Sequence, residues 1–253
     1  MEKLLLKIKY IGTAYCGYQV QPNVNSIQQK LNEATKALFG VDCDIIGCSR
    51  TDSGVHANCF CATVSQKGTD TLSTAIPINR LPLALCAHLP QDIAVFDAKW
   101  VPSTFHARYD VKEKEYLYRI YNHPIRNPLE EGLAAHLPQI IDENGLRRMN
   151  DAARSFVGTQ DFSAYMAQGS TVSSTVRTVT RASVSRKGDC IIFQVAANGF
   201  LYHMVRILAG TLVEVGLGKR TVEDVIQTTA SHNRANAGMT MPACGLYLND
   251  VIY

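Results

Sequence analysis

From Leu4 to Tyr10, one set of apolar residues (Leu4, Leu6, Ile8 and Tyr10) alternates with Leu5, Lys7 and Lys9, the period of two that is typical of a β-strand with one buried face. A different spacing follows, in which apolar residues recur at i, i+4, i+7 and i+11 counted from Ile27 and so share one face of an α-helix. Ser26 can cap the first turn of this helix, and Gly40 can end it. The chain therefore begins with a strand and an amphipathic helix.

Short apolar runs bounded by turn residues predict four more elements before residue 105. They are strands near Cys43–Cys48 and Cys59–Val64, a helical region between Leu72 and Leu85, and a strand over Ile93–Trp100. Pro77 and Pro82 make the helical region irregular, because proline lacks the amide donor of a regular helix. The order of elements is β, α, β, β, α, β.

The second part of the chain repeats this order with one extra helix. Its predicted elements are a strand over Lys114–Tyr121, a helix over Asp142–Val157, strands near Thr175–Ser185 and Cys190–Ala197, helices over Phe200–Val215 and Val222–Thr229, and a strand over Leu246–Ile252. Two βαββαβ units in series predict an α+β fold of two ferredoxin-like halves, with antiparallel sheets and helices on one face. We place the halves at residues 1–105 and 106–253, with a linker at Val101–Asp110.

Composition narrows the class of protein without naming a function. The 253 residues are 46% hydrophobic and 19% charged, which excludes a disordered or collagen-like chain. Lys and Arg number 25 against 22 Asp and Glu, for a net charge of +3 that is spread over both halves. This excess neither requires nor excludes a nucleic-acid partner, because phosphate binding needs only a local stripe of cations.

The eight cysteines include no Cys-x-x-Cys pair, so a structural zinc site is not expected. Lys7 and Lys9 interrupt the apolar start before a signal-peptide core could form, which predicts a cytoplasmic protein with reduced thiols. His203, Arg206 and Glu214 likewise interrupt the most apolar stretch, so we expect no membrane span.

The segment Ser49–Ala57 is the first place to look for chemistry. It brings a cation, Arg50, a carboxylate, Asp52, and an imidazole, His56, together in a loop between two strands. In extended backbone Arg50 and Asp52 face the same side and can pair, which would hold Asp52 ionised and oriented as a nucleophile or base. The structural alternative is an Asx-turn in which Asp52 bonds backbone near Gly54 and Arg50 ties down the loop.

The same segment, Arg50–Ala57, resembles the Gly-Arg-Thr-Asp-Ala-Gly-Val-His signature of the TruA-type tRNA pseudouridine synthases. Other blocks resemble the family in the same order along nearly the whole chain. They are the opening block with Tyr10, Gly12, Tyr15, Gly17, Tyr18 and Gln19, then Leu89–Val95, Phe105–Arg108, Asp161–Phe162, Phe200 with His203–Arg206 and Gly210, and Gly245–Tyr247.

The resemblance implies two α+β halves with a cleft between them, and an isomerase that converts uridine to pseudouridine at positions 38, 39 and 40 of the tRNA anticodon stem-loop. It also implies a homodimer that needs no metal or cofactor. By position in the motifs, Asp52 is the nucleophile, and Arg50, Arg206 and Tyr116 complete the catalytic group. The substrate-binding residues that it implies are Tyr116, Thr51, His56, Arg108 and His203.

Each assignment has an alternative in the residues themselves. Tyr116 and Tyr118 alternate on one face of a strand, so either could be core, and only the family alignment favours Tyr116. Arg206 could bind Asp52 or a phosphate, or it could pair with Glu214. Three dispersed histidines, at positions 56, 106 and 203, leave a metal-dependent hydrolase as a rival, and a non-catalytic RNA-binding protein is a second rival class.

Overall fold

A computed structural model of the chain describes residues 2–169 and 172–253. Within these residues the fold is mixed α and β, with five α-helices and mostly antiparallel strand pairing. Backbone contacts divide it into two compact units: the first runs to Lys112 and includes Leu248–Tyr253, and the second is Glu113–Tyr247. None of the described helices is long and apolar enough to cross a membrane.

The first unit follows the predicted order of strands and helices. Its elements are β1 (Glu2–Tyr10), α1 (Ile27–Phe39), β2 (Cys43–Gly47), β3 (His56–Gln66), α2 (Leu81–Cys86) and β4 (Ile93–Pro102). Strand β1 lies between β4 and β3, and β2 pairs with β3, all antiparallel. Helix α1 packs against β2 and α2, and α2 packs against β4.

Helix α1 confirms the prediction from its capping residues. Ser26 Oγ accepts a hydrogen bond from the Gln29 backbone N at 3.3 Å, and Gly40 ends the helix with a φ of 70°. The helical region predicted between Leu72 and Leu85 is shorter than expected, since only Leu81–Cys86 is α-helical. A proline in the first turn is tolerated there because that amide has no acceptor within the helix.

The described part of the second unit contains an antiparallel sheet of four strands, a short parallel strand and three α-helices. Its elements are β5 (Glu113–Asn122), β6 (Ala135–Leu137), α3 (Glu143–Arg154), β7 (Gly158–Asp161), β8 (Val176–Lys187), β9 (Cys190–Ala197), α4 (Met204–Gly216) and α5 (Val222–Ser231). The strand order is β5, β9, β8, β7, and the short β6 runs parallel beside β5. Helix α3 packs against β8, α4 and α5.

The last strand, β10 (Leu246–Ile252), begins in the second unit and enters the first at Leu248, where it lies beside β3. The contacts thus group residues 106–112 and 248–253 with the first unit, whereas the sequence prediction assigned both segments to the second half. The difference arises because hydrogen bonding to a distant strand, and not local sequence, decides to which sheet a strand belongs.

Candidate active site

The loop between β2 and β3 carries Asp52 on a tight turn. The Val55 backbone N donates to the Asp52 carbonyl at 3.2 Å, and Gly54 at the third position has a φ of +77°, as in a type II turn. Ser53 is exposed at the tip of this turn, while Asp52 is half-buried and Val55 is buried. A carboxylate is therefore presented from a backbone turn that is closed by its own hydrogen bond.

Strand β1 and the segment that follows it are hydrogen-bonded to the Asp52 loop. The Tyr18 backbone N donates to the Thr51 carbonyl at 3.1 Å, and the Tyr15 carbonyl accepts from Gly54 N at 3.3 Å and from Ser53 Oγ at 3.2 Å. The hydroxyls of Tyr10 and Thr51 are 2.8 Å apart and buried. The residues on both sides of Asp52 are thus bonded to the opening block of the chain.

Two glycines allow this close approach. A Cβ on Gly12 would lie 1.9 Å from the Val55 carbonyl oxygen, and one on Gly17 would lie 2.6 Å from that of Thr51. Gly17 also has a φ of +88°, which side-chain-bearing residues rarely adopt. The glycines of the opening block are therefore required for contact with the Asp52 loop.

A third block, around Asp92, anchors the opening segment in turn. Asp92 Oδ1 accepts a 2.6 Å hydrogen bond from Tyr15 Oη, and the Asp92 carbonyl accepts from the Ile11 backbone N at 2.9 Å. Burial, and then the hydrogen bond to Asp92, raise the pKa of Tyr15 far above its usual value, so its hydroxyl stays a donor. Two separate sequence blocks thus support the Asp52 turn: the opening block bonds it directly, and the Asp92 block bonds the opening block.

Thr51 and His56, which were predicted to bind substrate, are both buried, and each is hydrogen-bonded to the opening block. Thr51 is 7% exposed and its hydroxyl is bonded to Tyr10. His56 is fully buried, and its Nδ1 accepts a hydrogen bond from the Gly12 backbone N at 3.0 Å. This geometry supports positioning roles for both residues.

Arg50 does not form the predicted pair with Asp52. Its side chain is exposed, and among the described residues no ion pair joins it to the Asp52 carboxylate. The prediction assumed extended backbone, in which residues i and i+2 face the same side, but a long, exposed side chain such as that of Arg50 is free to extend into solvent. Arg50 instead lines a groove of about 230 Å³, and the exposed Arg108 lines the same groove.

In the second unit, Tyr116 and Tyr118 have different surroundings. Tyr118 is fully buried and its hydroxyl donates to the Pro242 carbonyl at 2.6 Å, and burial raises its pKa above the usual range. Tyr118 is therefore a core residue. Tyr116 is 7% exposed and meets Phe200 edge to face, with ring centroids 4.9 Å apart.

Arg206 lies in the first turn of α4, a helix that is buried on nearly every face and that packs against β5, the strand of Tyr116. Its Nε donates to the Met241 carbonyl at 2.7 Å, and the Met241 backbone N donates to the Arg206 carbonyl at 3.2 Å. Glu214, the alternative partner, pairs with Arg220 instead.

His203 caps this helix in the left-handed conformation, with a φ of 58°. Its ring stacks on that of the exposed Tyr202, with the centroids 3.9 Å apart.

Neither histidines nor cysteines form a metal centre in the part of the chain that the structure describes. No group of three or more His, Cys, Asp or Glu side chains is placed there to hold a metal ion. The Nδ1 atoms of His56 and His106 both accept backbone hydrogen bonds. The eight cysteines are free thiols.

Comparison with known proteins identifies the family. The family profile described as tRNA pseudouridine synthase matches residues 7–110 and 152–253. The tRNA pseudouridine synthase A of Caldicellulosiruptor bescii is 41% identical over 253 residues, with all of both chains covered, and that of a Thermoanaerobacter species is equally similar. The enzyme of the same name from Halalkalibacterium halodurans is 39% identical, over 97% of this chain and 90% of its own.

These matches define the class of the protein as an RNA-modifying isomerase. The mixed α and β fold and the hydrogen-bonded Asp52 turn agree with this class. The chain belongs to the tRNA pseudouridine synthase family. Its class of reaction is the isomerisation of uridine to pseudouridine in tRNA, and the resemblance based on the motifs is confirmed.

Proposed function

We propose that the protein isomerises uridines 38, 39 and 40 of the tRNA anticodon stem-loop, with the Asp52 carboxylate acting at ribose C1′ of a flipped-out nucleotide. The observation that carries the proposal is the Asp52 turn, which is bonded to the opening block of the chain, and this block is bonded in turn to Asp92. A carboxylate held in this way needs little reorganisation when it reacts, which is the condition for positional catalysis.

The reaction breaks the bond between uracil N1 and ribose C1′ and joins C1′ to C5 of the same base. The hydrogen on C5 leaves as a proton and N1 gains one, so nothing is oxidised and no group is imported. Asp52 either forms an ester with C1′ or removes the C2′ proton on a glycal route. Both routes need an anionic side chain beside the sugar, and Asp52 is that side chain.

Two other residues complete the proposed catalytic group in the second unit. Tyr116, whose ring is held edge to face by Phe200, is proposed to pack on the uracil ring after the nucleotide leaves the stack. Arg206, oriented by its bond to the Met241 carbonyl, is proposed to pair with Asp52 or with a phosphate. His203 at the start of the same helix is proposed to contact the substrate.

The remaining assignments are predictions from the resemblance. They are the two ferredoxin-like halves with a substrate cleft, the homodimer, the cytoplasmic location and the direct role of Arg50. The exposure of Arg50 supports contact with RNA better than a pairing with Asp52.

The test uses unmodified tRNA that carries tritium at uridine C5. An isomerase must release the label into water, because C5 exchanges its hydrogen for the bond to C1′. We expect Asp52→Asn to lower release by on the order of a thousandfold or more while tRNA affinity stays within about threefold, since the amide keeps the shape of the carboxylate but is not a nucleophile.

The matched control is Asp97→Asn, which removes an exposed carboxylate on β4 and should release label at the wild-type rate. Rapid turnover by Asp52→Asn would remove Asp52 from the reaction. Wild-type protein that binds tRNA tightly yet releases no label would be an RNA-binding protein and not an isomerase.

A further inference from the structure

The segment Phe105–Asp110 folds into a closed turn around the ring of His106. The ring Nδ1 accepts hydrogen bonds from the backbone N of Arg108 at 3.1 Å and of Tyr109 at 3.2 Å. The His106 backbone N donates to Asp110 Oδ2 at 2.8 Å, and the Asp110 backbone N donates back to the His106 carbonyl at 3.1 Å. Four hydrogen bonds within five residues fix this backbone and the plane of the imidazole.

Tyr253 anchors the turn to the rest of the first unit. Its ring packs on Phe105 with centroids 4.9 Å apart, and its hydroxyl donates to the carbonyl of the buried Ala107 at 2.7 Å. Phe105 and Ala107, the apolar residues of this turn, are therefore both in contact with Tyr253. The turn leaves Arg108 and Tyr109 exposed.

Tyr109 is a large ring that the fold keeps in solvent. It is 75% exposed, and it stacks on His106 with centroids 4.2 Å apart and planes 30° from parallel. The Arg108 guanidinium carbon lies 5.8 Å from the Tyr109 ring centroid. Stacking on His106 holds the ring in one orientation while 75% of the side chain stays exposed, so little side-chain entropy remains to be lost when a flat partner binds.

The turn borders the groove that Arg50 lines, so it is next to the loop of Asp52. The other polar side chains of the groove are two glutamines, Gln19 and Gln28, and Ser49. Among the described residues that line it, none is acidic, while two are arginines. Cations, amides and an exposed ring together match the phosphate, base edges and base face of an unpaired nucleotide.

From this arrangement we infer that the groove binds an unpaired nucleotide of the RNA substrate close to the target uridine, whose base stacks on Tyr109 and whose phosphate contacts Arg108. The inference rests on the proposed function, because it takes RNA to be the substrate. It adds a contact outside the catalytic group: Tyr109 contributes to binding and does not act on the reacting atoms.

Kinetics of Tyr109 variants provide the first test. Tyr109→Ala should raise KM for tRNA by roughly 5- to 100-fold, the range expected for one base–aromatic stack, and leave kcat within about twofold. Tyr109→Phe and Tyr109→Trp should stay within about threefold of wild-type KM, since both keep a ring. Phe96→Ala is the matched control, because Phe96 is also an exposed ring beneath a cation, Lys9, but lies outside the groove.

A second test locates the stacked base. Stem-loop RNAs that lack one base, each at a different nucleotide around the target, are compared in wild-type protein and Tyr109→Ala. At one position, removal of the base should lower the affinity of the wild-type protein by the same factor as Tyr109→Ala does for the complete RNA. Removal of that base should not lower the affinity of Tyr109→Ala any further. Losses that simply add at every position would overturn the inference, as would an unchanged KM in Tyr109→Ala.

The two proposals fail in different ways. If the protein is not an isomerase, the wild type releases no tritium whatever its affinity. If the inference alone is wrong, the wild type releases tritium and Tyr109→Ala does so with the same KM.

Discussion

Tyr10 and Thr51 share a buried hydroxyl contact of 2.8 Å immediately before the Asp52 turn. Such a pair contributes little net stability, on the order of 1 kcal/mol, yet it determines where the backbone of the loop lies. The contact thus connects the strand β1 to the position of the proposed nucleophile.

This contact predicts coupling between two substitutions. Tyr10→Phe and Thr51→Val should each lower kcat by about tenfold and the free energy of unfolding by about 1 kcal/mol, because each leaves one buried hydroxyl without this partner. The double variant should lose little more than either single one, as urea unfolding and tritium release would show. Thr51→Ser keeps the hydroxyl and serves as control; strictly additive losses would contradict a shared role.

At the residue scale, the sequence predicted candidate residues but not the partners of their side chains. Asp52 was predicted as the nucleophile from its motif, and this role stays a prediction. The pairing of Arg50 with Asp52 was wrong because the Arg50 side chain is exposed at the groove, and spacing along the chain does not determine where a long side chain lies. Tyr109 was missed because an exposed aromatic beside a motif looks like any surface residue until its stacking on His106 is seen.

At the scale of elements, local signals predicted best. Helix α1 begins and ends where its caps, Ser26 and Gly40, indicate, since capping depends on residues within a turn of the helix end. The short strands β6 and β7 were not predicted, because three or four residues carry no period and become strands only by pairing with β5 and β8.

Helix α4 gives an element-scale prediction at Gly210. A Cβ there would lie 2.0 Å from the Met239 carbonyl oxygen, so the segment Gly238–Met241 could not stay in place. Gly→Ala inside a helix ordinarily stabilises by up to about 1 kcal/mol, but here we expect the free energy of unfolding to fall. The displaced Met241 carbonyl would also release Arg206 Nε, and kcat should fall with it.

Thermal unfolding and tritium release on Gly210→Ala measure both effects. The control is Gly199→Ala, where the nearest atom to a new Cβ is a side-chain nitrogen of Arg177 at 3.4 Å. A stabilised and fully active Gly210→Ala would show that the segment Gly238–Met241 does not need this close approach.

At the scale of the whole molecule, a net charge of +3 is small for a protein that binds tRNA. We therefore expect binding to rest on a local set of cations, and the groove with Arg50 and Arg108 and no acidic lining residue is where we propose two of them. Composition alone could not reveal this, because it counts charges without their positions.

If cations cluster at the RNA-binding groove, the affinity for tRNA should depend steeply on salt concentration. With about four phosphate contacts, tRNA affinity should fall on the order of a hundredfold between about 50 and 200 mM salt. Arg108→Ala should lower the slope of log affinity against log salt by about one. Lys36→Ala should leave it unchanged, since Lys36 is 2.9 Å from Asp42 and already paired. Filter-binding titrations of the wild type and the two variants at several salt concentrations measure these slopes. An affinity that does not change with salt would contradict a phosphate-binding groove.

The placement of residues 248–253 in the first unit has a consequence for synthesis on the ribosome. Residues 113–247, which form the second unit, are translated before residues 248–253. The first unit therefore cannot complete its fold until strand β10 and Tyr253 have been translated, by which time the whole second unit has been synthesised. A chain released before Leu248 carries the Asp52 loop but lacks the anchor of the Arg108 turn. The groove that we infer to bind RNA is therefore complete only after Tyr253 has been translated.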